Sequence, residues 1–338
     1  MATKLLMKFH EIPAPAFDLA MTLDSGQVFH WEKAGTGFVG TIGDCAAYVE
    51  QCGSVLKTHT SGGKLDGFKP SSFSKTVAHY FALDHPLADI CASFPDDALM
   101  NAARDFCRGL RIIRQPKWEC LATFICSSLK QVAHIRQISA ALRTRFGERR
   151  EIGNHVVYTF PPAQRIARLS ETELRECKLG YRAKNLRATA QQVSSRESEL
   201  EKWSKLPDGD LRKNLFELPG VGAKIANCVM LFAYERLRAF PIDVWIERVL
   251  RQHYLQRRRK MTAQQLSEFS ESYFGEHGGY AQQYLFHHAR TALRKSGLSR
   301  GSSTPKTFGA RNDKRGRSDK DPGGTAAGAQ VVSASSVG

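Results

Sequence analysis

The first third of the chain carries short apolar runs that are separated by glycine and aspartate. Residues 38–42, 47–51 and 54–60 are such runs, and their β-branched and aromatic content predicts strands. From about residue 89 the spacing changes, because the apolar positions between residues 99 and 110 recur at helical intervals. The pattern predicts an α+β protein, in which an N-terminal antiparallel β-sheet domain with helices is followed by an all-helical region.

Helical spacing continues beyond Pro116 to about residue 296. The stretches that show it are residues 121–142, 171–177, 184–193, 211–218, 224–234, 244–254, 262–274 and 281–295. Beyond residue 300 the chain is rich in glycine, serine and basic residues, and it holds too little apolar surface to order itself. We therefore divide the chain into a β-rich domain at 1–112, a helical region at 113–299 and a disordered basic tail at 300–338.

The charge of the chain indicates a polyanionic partner. Its 338 residues include 49 Lys and Arg against 33 Asp and Glu, which gives a net charge of +16. A surplus of this size favours nucleic acid first and an anionic membrane surface second. No apolar run approaches the ~18 residues of a transmembrane helix, and the N-terminus lacks the layout of a signal peptide. We therefore expect an intracellular protein whose cysteines are thiols.

The most specific segment has the sequence LPGVGAKIA, at residues 218–226. It joins two helices of apolar phasing through a turn with two glycines, which let the backbone approach another molecule closely. The N–H groups at the start of the second helix have no partner within the helix, and together with the helix dipole they bind phosphate. This is the helix-hairpin-helix pattern, and it predicts that Gly220, Val221 and Gly222 contact the DNA backbone.

Lys224 and Asp243 are the candidate catalytic residues near this turn. Lys224 falls in the first turn of the second helix, where the positive helix end disfavours an ammonium group. A neutral amine there is a nucleophile that can form a Schiff base, although a lysine that only contacts phosphate or solvent fits the spacing as well. Asp243 precedes a helix, so it can cap that helix, stabilise positive charge on a sugar carbon, or do both.

Taken together, the hairpin, Lys224 and Asp243 resemble the helix-hairpin-helix, Gly/Pro-Asp superfamily of DNA glycosylases, and more closely the 8-oxoguanine DNA glycosylase/AP lyases. The likeness runs from about residue 15 to about residue 295 and includes an N-terminal domain that simpler members lack. Further matching segments are SGQVFHW at 25–31, FICSS at 124–128, GYRA at 180–183, and YA and LF at 280–281 and 285–286.

The resemblance implies a bifunctional enzyme of base excision repair that flips a damaged base out of duplex DNA. In this family the lysine at the position of Lys224 attacks the sugar C1′ and expels the base. The Schiff base that forms then undergoes β-elimination, which nicks the strand. Asp243 would stabilise the transition state. The implied substrate is 8-oxoguanine, with formamidopyrimidine lesions left open as a second one.

The resemblance also implies a pocket for the flipped base. The carbonyl group of Gly26 would accept the N7–H that 8-oxoguanine has and guanine lacks. Cys228 and Phe286 would pack on the two faces of the base, and Gln282 would contact its Watson–Crick edge. Judged from the sequence pattern alone, Cys228 and Phe286 are core residues.

On the DNA side, Tyr181 and Arg182 match a pair that wedges the duplex and reaches toward the orphaned cytosine. Two positions depart from the best-known eukaryotic members. Leu129 stands where an asparagine fills the gap left by the base, and His134 stands where an arginine contacts the opposite cytosine. Trp245 replaces a histidine expected near a phosphate. Lost donors predict a weaker preference for cytosine opposite the lesion.

The last cysteine of the chain is Cys228, so the iron–sulfur cluster of related branches has no ligands here. We expect no metal or cofactor in catalysis. The resemblance implies room for a structural cation at the hairpin carbonyls, without a catalytic role. The expected protein is a monomer that binds double-stranded DNA containing an oxidised purine and no membrane. The expected location is a bacterial cytoplasm, associated with the nucleoid, or the nucleus if the source is eukaryotic. Two alternatives stay open: a glycosylase for other damaged bases, and a non-catalytic helix-hairpin-helix protein that binds DNA.

Overall fold

A five-stranded antiparallel sheet forms the centre of the N-terminal part of the chain. The computed structural model describes residues 9–61, 70–128, 131–195, 197–255 and 261–295, all within one compact unit at 1–299. The strands are β1 (His10–Pro13), β2 (Glu32–Ala34), β3 (Gly37–Ile42), β4 (Cys45–Cys52) and β5 (Val55–Ser61), hydrogen-bonded in the order β1-β5-β4-β3-β2. The predicted strands correspond to β3, β4 and β5. Leu129 and the predicted tail at 300–338 lie outside the described residues.

Four helices accompany the sheet: α1 (Leu19–Asp24), α2 (Pro70–Tyr80), α3 (Leu87–Ala92) and α4 (Ala98–Phe106). Helix α1 begins where the Asp18 carboxylate accepts a hydrogen bond from the backbone N–H of Met21. The inner face of the sheet and helix α2 share a core in which Leu56, Phe73 and Val77 are fully buried. This core fixes the loop that follows α1, which carries Gly26.

The helical region confirms the predicted architecture. Its elements are α5 (Lys117–Cys126), α6 (Val132–Phe146), β6 (Arg149–Ile152), β7 (His155–Tyr158), α7 (Ala163–Arg168), α8 (Glu171–Glu176), α9 (Arg182–Ser194), α10 (Glu197–Lys202), α11 (Asp208–Phe216), α12 (Ala223–Tyr234), α13 (Val244–Val249), α14 (Ala263–Phe274) and α15 (Gly278–Lys295). Helix α5 is buried on nearly all sides and packs against α12 and α9. Within the described ranges, no helix is long and apolar enough to cross a membrane.

The hairpin of β6 and β7 interrupts a region that the sequence pattern predicts as helical throughout. A two-residue turn joins the strands, and its Gly153 adopts a φ of 55°, which favours glycine. Ile152 is buried with Val39 and Ala46 of the N-terminal sheet, so the hairpin is stabilised by a distant partner. Because β6 itself is mostly charged, its local pattern carries no alternation that would predict a strand.

A buried arginine joins the sheet to the helices. Arg143 of α6 donates hydrogen bonds to the Thr41 hydroxyl at 2.9 Å and to the Tyr158 carbonyl at 3.0 Å, and it pairs with the carboxylate of Glu119 in α5. A buried guanidinium without such partners would destabilise the fold strongly. The network therefore fixes how the N-terminal sheet meets α5 and α6, and α5 in turn packs against α12, which carries Lys224.

Candidate active site

The hairpin between α11 and α12 leaves the start of α12 open. Gly220 has a φ of 80°, and a Cβ there would lie 2.7 Å from the Asn185 amide nitrogen, so no larger residue fits. Gly222 is the N-cap of α12 with no side-chain cap, and a Cβ built on it meets no atom within 4 Å. Val221 between them is buried. An uncapped helix start beside open space is suited to a phosphate group.

Lys224 lies in the first turn of α12 and is half-buried. Its Nζ donates to the Ser127 hydroxyl at 2.8 Å and lies 5.2 Å from the centre of the Phe124 ring. The Ser127 hydroxyl donates in turn to the Phe124 carbonyl at 2.7 Å. Because that hydroxyl proton is already committed, Ser127 acts as an acceptor toward Nζ. This hydrogen bond holds Nζ in a fixed position at the start of α12.

Asp243 caps helix α13, with its carboxylate accepting from the backbone N–H of Ile246 at 2.8 Å. Burial raises the pKa of this carboxyl, while the N–H groups of Ile246 and Trp245 and the charge of Lys224 act in the opposite direction. An acid with a raised pKa beside a nucleophile is common at catalytic sites. The structure thus makes Asp243 both the cap and an electrostatic neighbour of Lys224.

Cys228 lies one turn after Lys224 on the same helix and is buried. Burial raises the pKa of its thiol to about 11, Lys224 lowers it and Asp243 raises it. The three side chains therefore share one electrostatic environment. At neutral pH the thiol is uncharged, and it offers a small, polarisable apolar surface.

Gly26 lies against Phe286 of α15. Its φ is 89°, and a Cβ there would approach the Phe286 ring to 3.1 Å, Val132 to 3.6 Å and Arg290 to 3.4 Å. Any side chain at this position would be strained and would press on the ring. The packing of a base between Cys228 and Phe286 stays a prediction.

Gln282 is buried one turn before Phe286 on α15. Its Oε1 accepts no hydrogen bond from any residue that the structure describes. A buried amide oxygen without a partner is unfavourable, and a ligand that donates to it would remove the penalty. This observation supports, and does not test, the predicted contact between Gln282 and a base edge.

Tyr181 and Arg182 lie at the start of α9 with opposite exposures. The Tyr181 side chain is 61% exposed, whereas Arg182 is buried and donates to the carbonyls of Leu179 and Ser128. The Arg182 guanidinium lies 4.3 Å from the centre of the Tyr181 ring. The wedge role of Tyr181 stays a prediction, and Arg182 would have to leave two carbonyls to reach an orphaned base.

The other predicted DNA-side positions are less constrained. His134 is exposed on α6, and Leu129 lies outside the described residues. Trp245 is partly exposed in the first turn of α13, with the Arg248 guanidinium 5.2 Å from its ring centre. Among the residues that the structure describes, no group of three or more His, Cys, Asp or Glu side chains is placed to hold a metal ion.

Two residues of the site were not predicted, Ser127 and Arg290. Ser127 is part of the FICSS segment, but nothing in the sequence assigns its hydroxyl to Lys224. Arg290 follows Gln282 and Phe286 at intervals of four, and this spacing on one helix face was the signal that could have found it.

Replacing Ser127 tests how the amine is held. We expect Ser127→Ala to slow base excision about tenfold, because a hydrogen bond to a charged or nucleophilic group is lost. Ser127→Thr keeps a hydroxyl and should retain most of the rate. Ser128→Ala, next along the chain, removes a hydroxyl but keeps the carbonyl that Arg182 uses. Single-turnover excision rates of the three variants check this, and equal rates for Ser127→Ala and Ser128→Ala would contradict it.

Comparisons with known proteins identify the family to which the two parts of the chain are similar. Residues 11–121 match the N-terminal domain of 8-oxoguanine DNA glycosylase, and residues 122–272 match the HhH-GPD superfamily of base excision DNA repair proteins. The solved structure of MBOgg1 in complex with a low-affinity DNA ligand is 30% identical, with a TM-score of 0.77 over 85% of this chain and 99% of that one.

The match to two further relatives covers nearly the whole length of each of them. The 8-oxoguanine glycosylase/lyase of Clostridium acetobutylicum, solved with double-stranded DNA containing cytosine opposite 8-oxoG, is 26% identical, with a TM-score of 0.75 over 84% of this chain and 98% of that one. A probable N-glycosylase/DNA lyase of Methanothermobacter thermautotrophicus is 26% identical over 313 residues, which cover 85% of this chain and 96% of that protein.

Proposed function

This chain belongs to the 8-oxoguanine DNA glycosylase family, and from this membership we propose how its own residues carry out the reaction. It is a bifunctional DNA glycosylase and lyase of base excision repair, and its partner is double-stranded DNA. We propose that it excises 8-oxoguanine and then cleaves the strand at the abasic site. The observation that carries the proposal is Lys224, held by Ser127 and within electrostatic reach of the half-buried carboxyl of Asp243.

The flipped nucleotide enters the space beside Gly26 and Phe286. There the Gly26 carbonyl accepts the N7–H of 8-oxoguanine, and guanine, with a lone pair at N7, meets a repulsive contact instead. The unpartnered Oε1 of Gln282 accepts from the base edge. The exposed ring of Tyr181 fills part of the duplex, and the open start of α12 binds a backbone phosphate.

The chemistry proceeds through a covalent intermediate. Nζ of Lys224, in its unprotonated form, attacks C1′, and the N-glycosidic bond breaks with its electron pair leaving on the base. The proton that Nζ then releases passes to the base. The ionised Asp243 carboxylate stabilises the positive charge that develops on the sugar. The C1′–O4′ bond then breaks, the nitrogen lone pair forms the Schiff base with C1′, and O4′ takes up a proton from solvent. Loss of a C2′ proton then expels the 3′ phosphate by β-elimination.

Borohydride trapping tests the proposed substrate and intermediate together. The wild-type protein is incubated with a duplex that carries one 8-oxoguanine opposite cytosine and, separately, with the undamaged duplex. We expect a covalent adduct on the damaged strand alone. Adduct on neither duplex, with release of another damaged base from a lesion panel, would move the substrate elsewhere in the superfamily.

Opposite-base preference is expected to be weak. Position 134 holds a histidine where the resemblance expects an arginine, and Arg182 donates to two carbonyls. We therefore expect two weakened contacts to cytosine, each with a value of ~1–3 kcal/mol when well formed. Single-turnover excision of 8-oxoguanine opposite each of the four bases, at one salt concentration, should differ by about tenfold or less. His134→Arg should increase the preference for cytosine. Strong rejection of A, G and T by the wild type would refute this expectation.

The proposal also covers the oligomeric state, the location and the ions of the protein. We propose a monomer that works at the nucleoid, or in the nucleus of a eukaryotic source, without a metal or cofactor in the chemistry. The backbone carbonyls of the hairpin at Gly220 and Gly222 are the place for a structural cation.

A further inference from the structure

Side chains of helix α15 donate hydrogen bonds to backbone carbonyls of the loop at residues 24–27, and these bonds hold the loop in place. Arg290 donates from Nη2 to the carbonyl of Asp24, and its guanidinium also lies 3.6 Å from the Asp24 carboxylate. Gln283 donates from Nε2 to the carbonyl of Ser25 at 2.9 Å. Ser25, Gln283 and Arg290 are buried and Asp24 is partly buried. The buried carbonyl of Ser25 depends on Gln283 for a hydrogen bond, and that of Asp24 accepts one from a buried guanidinium.

The other side of the loop is held in the same way. Gln115 donates to the carbonyl of Gln27 at 2.7 Å. The Gln27 side chain accepts from the backbone N–H of Ile113 at 2.7 Å and donates to the Arg111 carbonyl at 2.8 Å. Within the described residues, the carbonyl of Gly26 is the only one of the four that accepts no hydrogen bond.

Arg290 lies behind both the loop and the aromatic ring of the pocket. Its side chain is buried, its guanidinium carbon is 5.6 Å from the centre of the Phe286 ring, and its Nη2 is 3.3 Å from Nδ1 of His287. Nη1 lies 3.4 Å from the point that a Cβ on Gly26 would occupy. One side chain therefore contacts the loop and supports the ring against which the loop packs.

We propose that Arg290 and Gln283 are positioning residues for lesion recognition. They satisfy the carbonyls of Asp24 and Ser25 and thereby fix the backbone that presents the Gly26 carbonyl beside Phe286. An acceptor held in place before the base arrives needs no reorganisation when the N7–H donates to it. The inference rests on the proposed function of Gly26 and adds two residues that contact neither the base nor the sugar.

The experiment separates base recognition from the chemistry of Lys224. Two single-turnover rates are measured for each variant: excision of 8-oxoguanine, and cleavage of a duplex with a preformed abasic site, which has no base to recognise. We expect Arg290→Met and Gln283→Met each to slow excision about tenfold, because the pocket acceptor is less well placed, while abasic-site cleavage stays within about twofold. Arg290→Lys, which retains a donor, should recover part of the excision rate.

Arg136→Met is the matched control. Arg136 also pairs with Asp24, at 2.8 Å, but through the carboxylate and at an exposed position, so the backbone carbonyls keep their donors. This variant should excise 8-oxoguanine at the wild-type rate. Thermal unfolding of all four variants shows which changes come from stability alone.

The two rates distinguish a failure of the positioning role from a failure of the proposed substrate. A parallel loss of both rates in Arg290→Met and Gln283→Met, or no loss in either, would overturn the positioning role. A wild-type protein that cleaves abasic sites and excises no 8-oxoguanine would instead overturn the proposed substrate, and this inference with it.

Discussion

Lys224→Gln is expected to abolish strand cleavage and to lower base excision by about 10³-fold or more, because the reaction loses its nucleophile. Glutamine has a similar length and can still donate to the Ser127 hydroxyl, which lies 2.8 Å from Nζ in the wild type. The folded pocket should therefore survive. Tight binding of a duplex containing 8-oxoguanine, with no adduct after borohydride treatment, is the expected combination.

The control for this prediction is Lys213→Gln on α11, the other helix of the hairpin. Lys213 is exposed, and its replacement removes the same charge from the same DNA-binding element. Its excision rate at saturating enzyme should match that of the wild type. If Lys224→Gln were to nick the lesion strand at a rate near that of Lys213→Gln, Lys224 would only contact phosphate, and the nucleophile would lie elsewhere.

The parts of the fold that were predicted are those in which local pattern and tertiary environment agree. Strands β3, β4 and β5 each have enough residues to show their composition, and α12 is apolar on the side that faces α5. The hairpin of β6 and β7 was missed because its pairing depends on Ile152 reaching the N-terminal sheet. The predicted helix at 121–142 is in fact two helices, α5 and α6.

In the candidate site too, features set by local sequence could be predicted and contacts between distant residues could not. Gly220, Gly222 and Lys224 could be identified because a turn and a helix start have local signatures. The partner of Lys224 could not, since Ser127 is 97 positions away in the sequence. Arg290 is 266 positions from the carbonyl to which it donates. The first contact is set by the packing of α5 against α12, and the second by the packing of α15 against the loop at residues 24–27. No pattern within any of these segments specifies them.

Asp243→Asn is expected to separate the two roles of this residue. Asparagine caps a helix about as well as aspartate, so the hydrogen bond to the N–H of Ile246 persists and α13 keeps its start. The negative charge near the sugar is lost. Removal of one such electrostatic contact costs about 10²–10³-fold in rate. We expect that loss in single-turnover excision.

Although Asp243→Asn should excise more slowly, its free energy of unfolding should not fall. Burial raises the pKa of Asp243 in the folded state above its value in the unfolded chain. The folded protein therefore binds this proton more tightly, and stability falls as pH rises through the ordinary range of an aspartate and levels off above the raised pKa. Asparagine removes that loss, so at neutral pH Asp243→Asn should be at least as stable as the wild type in denaturant unfolding.

The raised pKa also sets the acid limit of the reaction. Because only the ionised carboxylate stabilises positive charge, wild-type excision should decline on the acid side at a pH above the ~3.9 of an unperturbed aspartate. Asp97→Asn is the matched control, since Asp97 caps α4 through the N–H of Met100 and lies outside the site. Asp97→Asn should keep the wild-type excision rate and the same decline in that rate at low pH. If Asp243→Asn excises slowly and has also lost stability, Asp243 acts only as a helix cap. If it excises slowly and keeps its stability, the charge of Asp243 acts in catalysis.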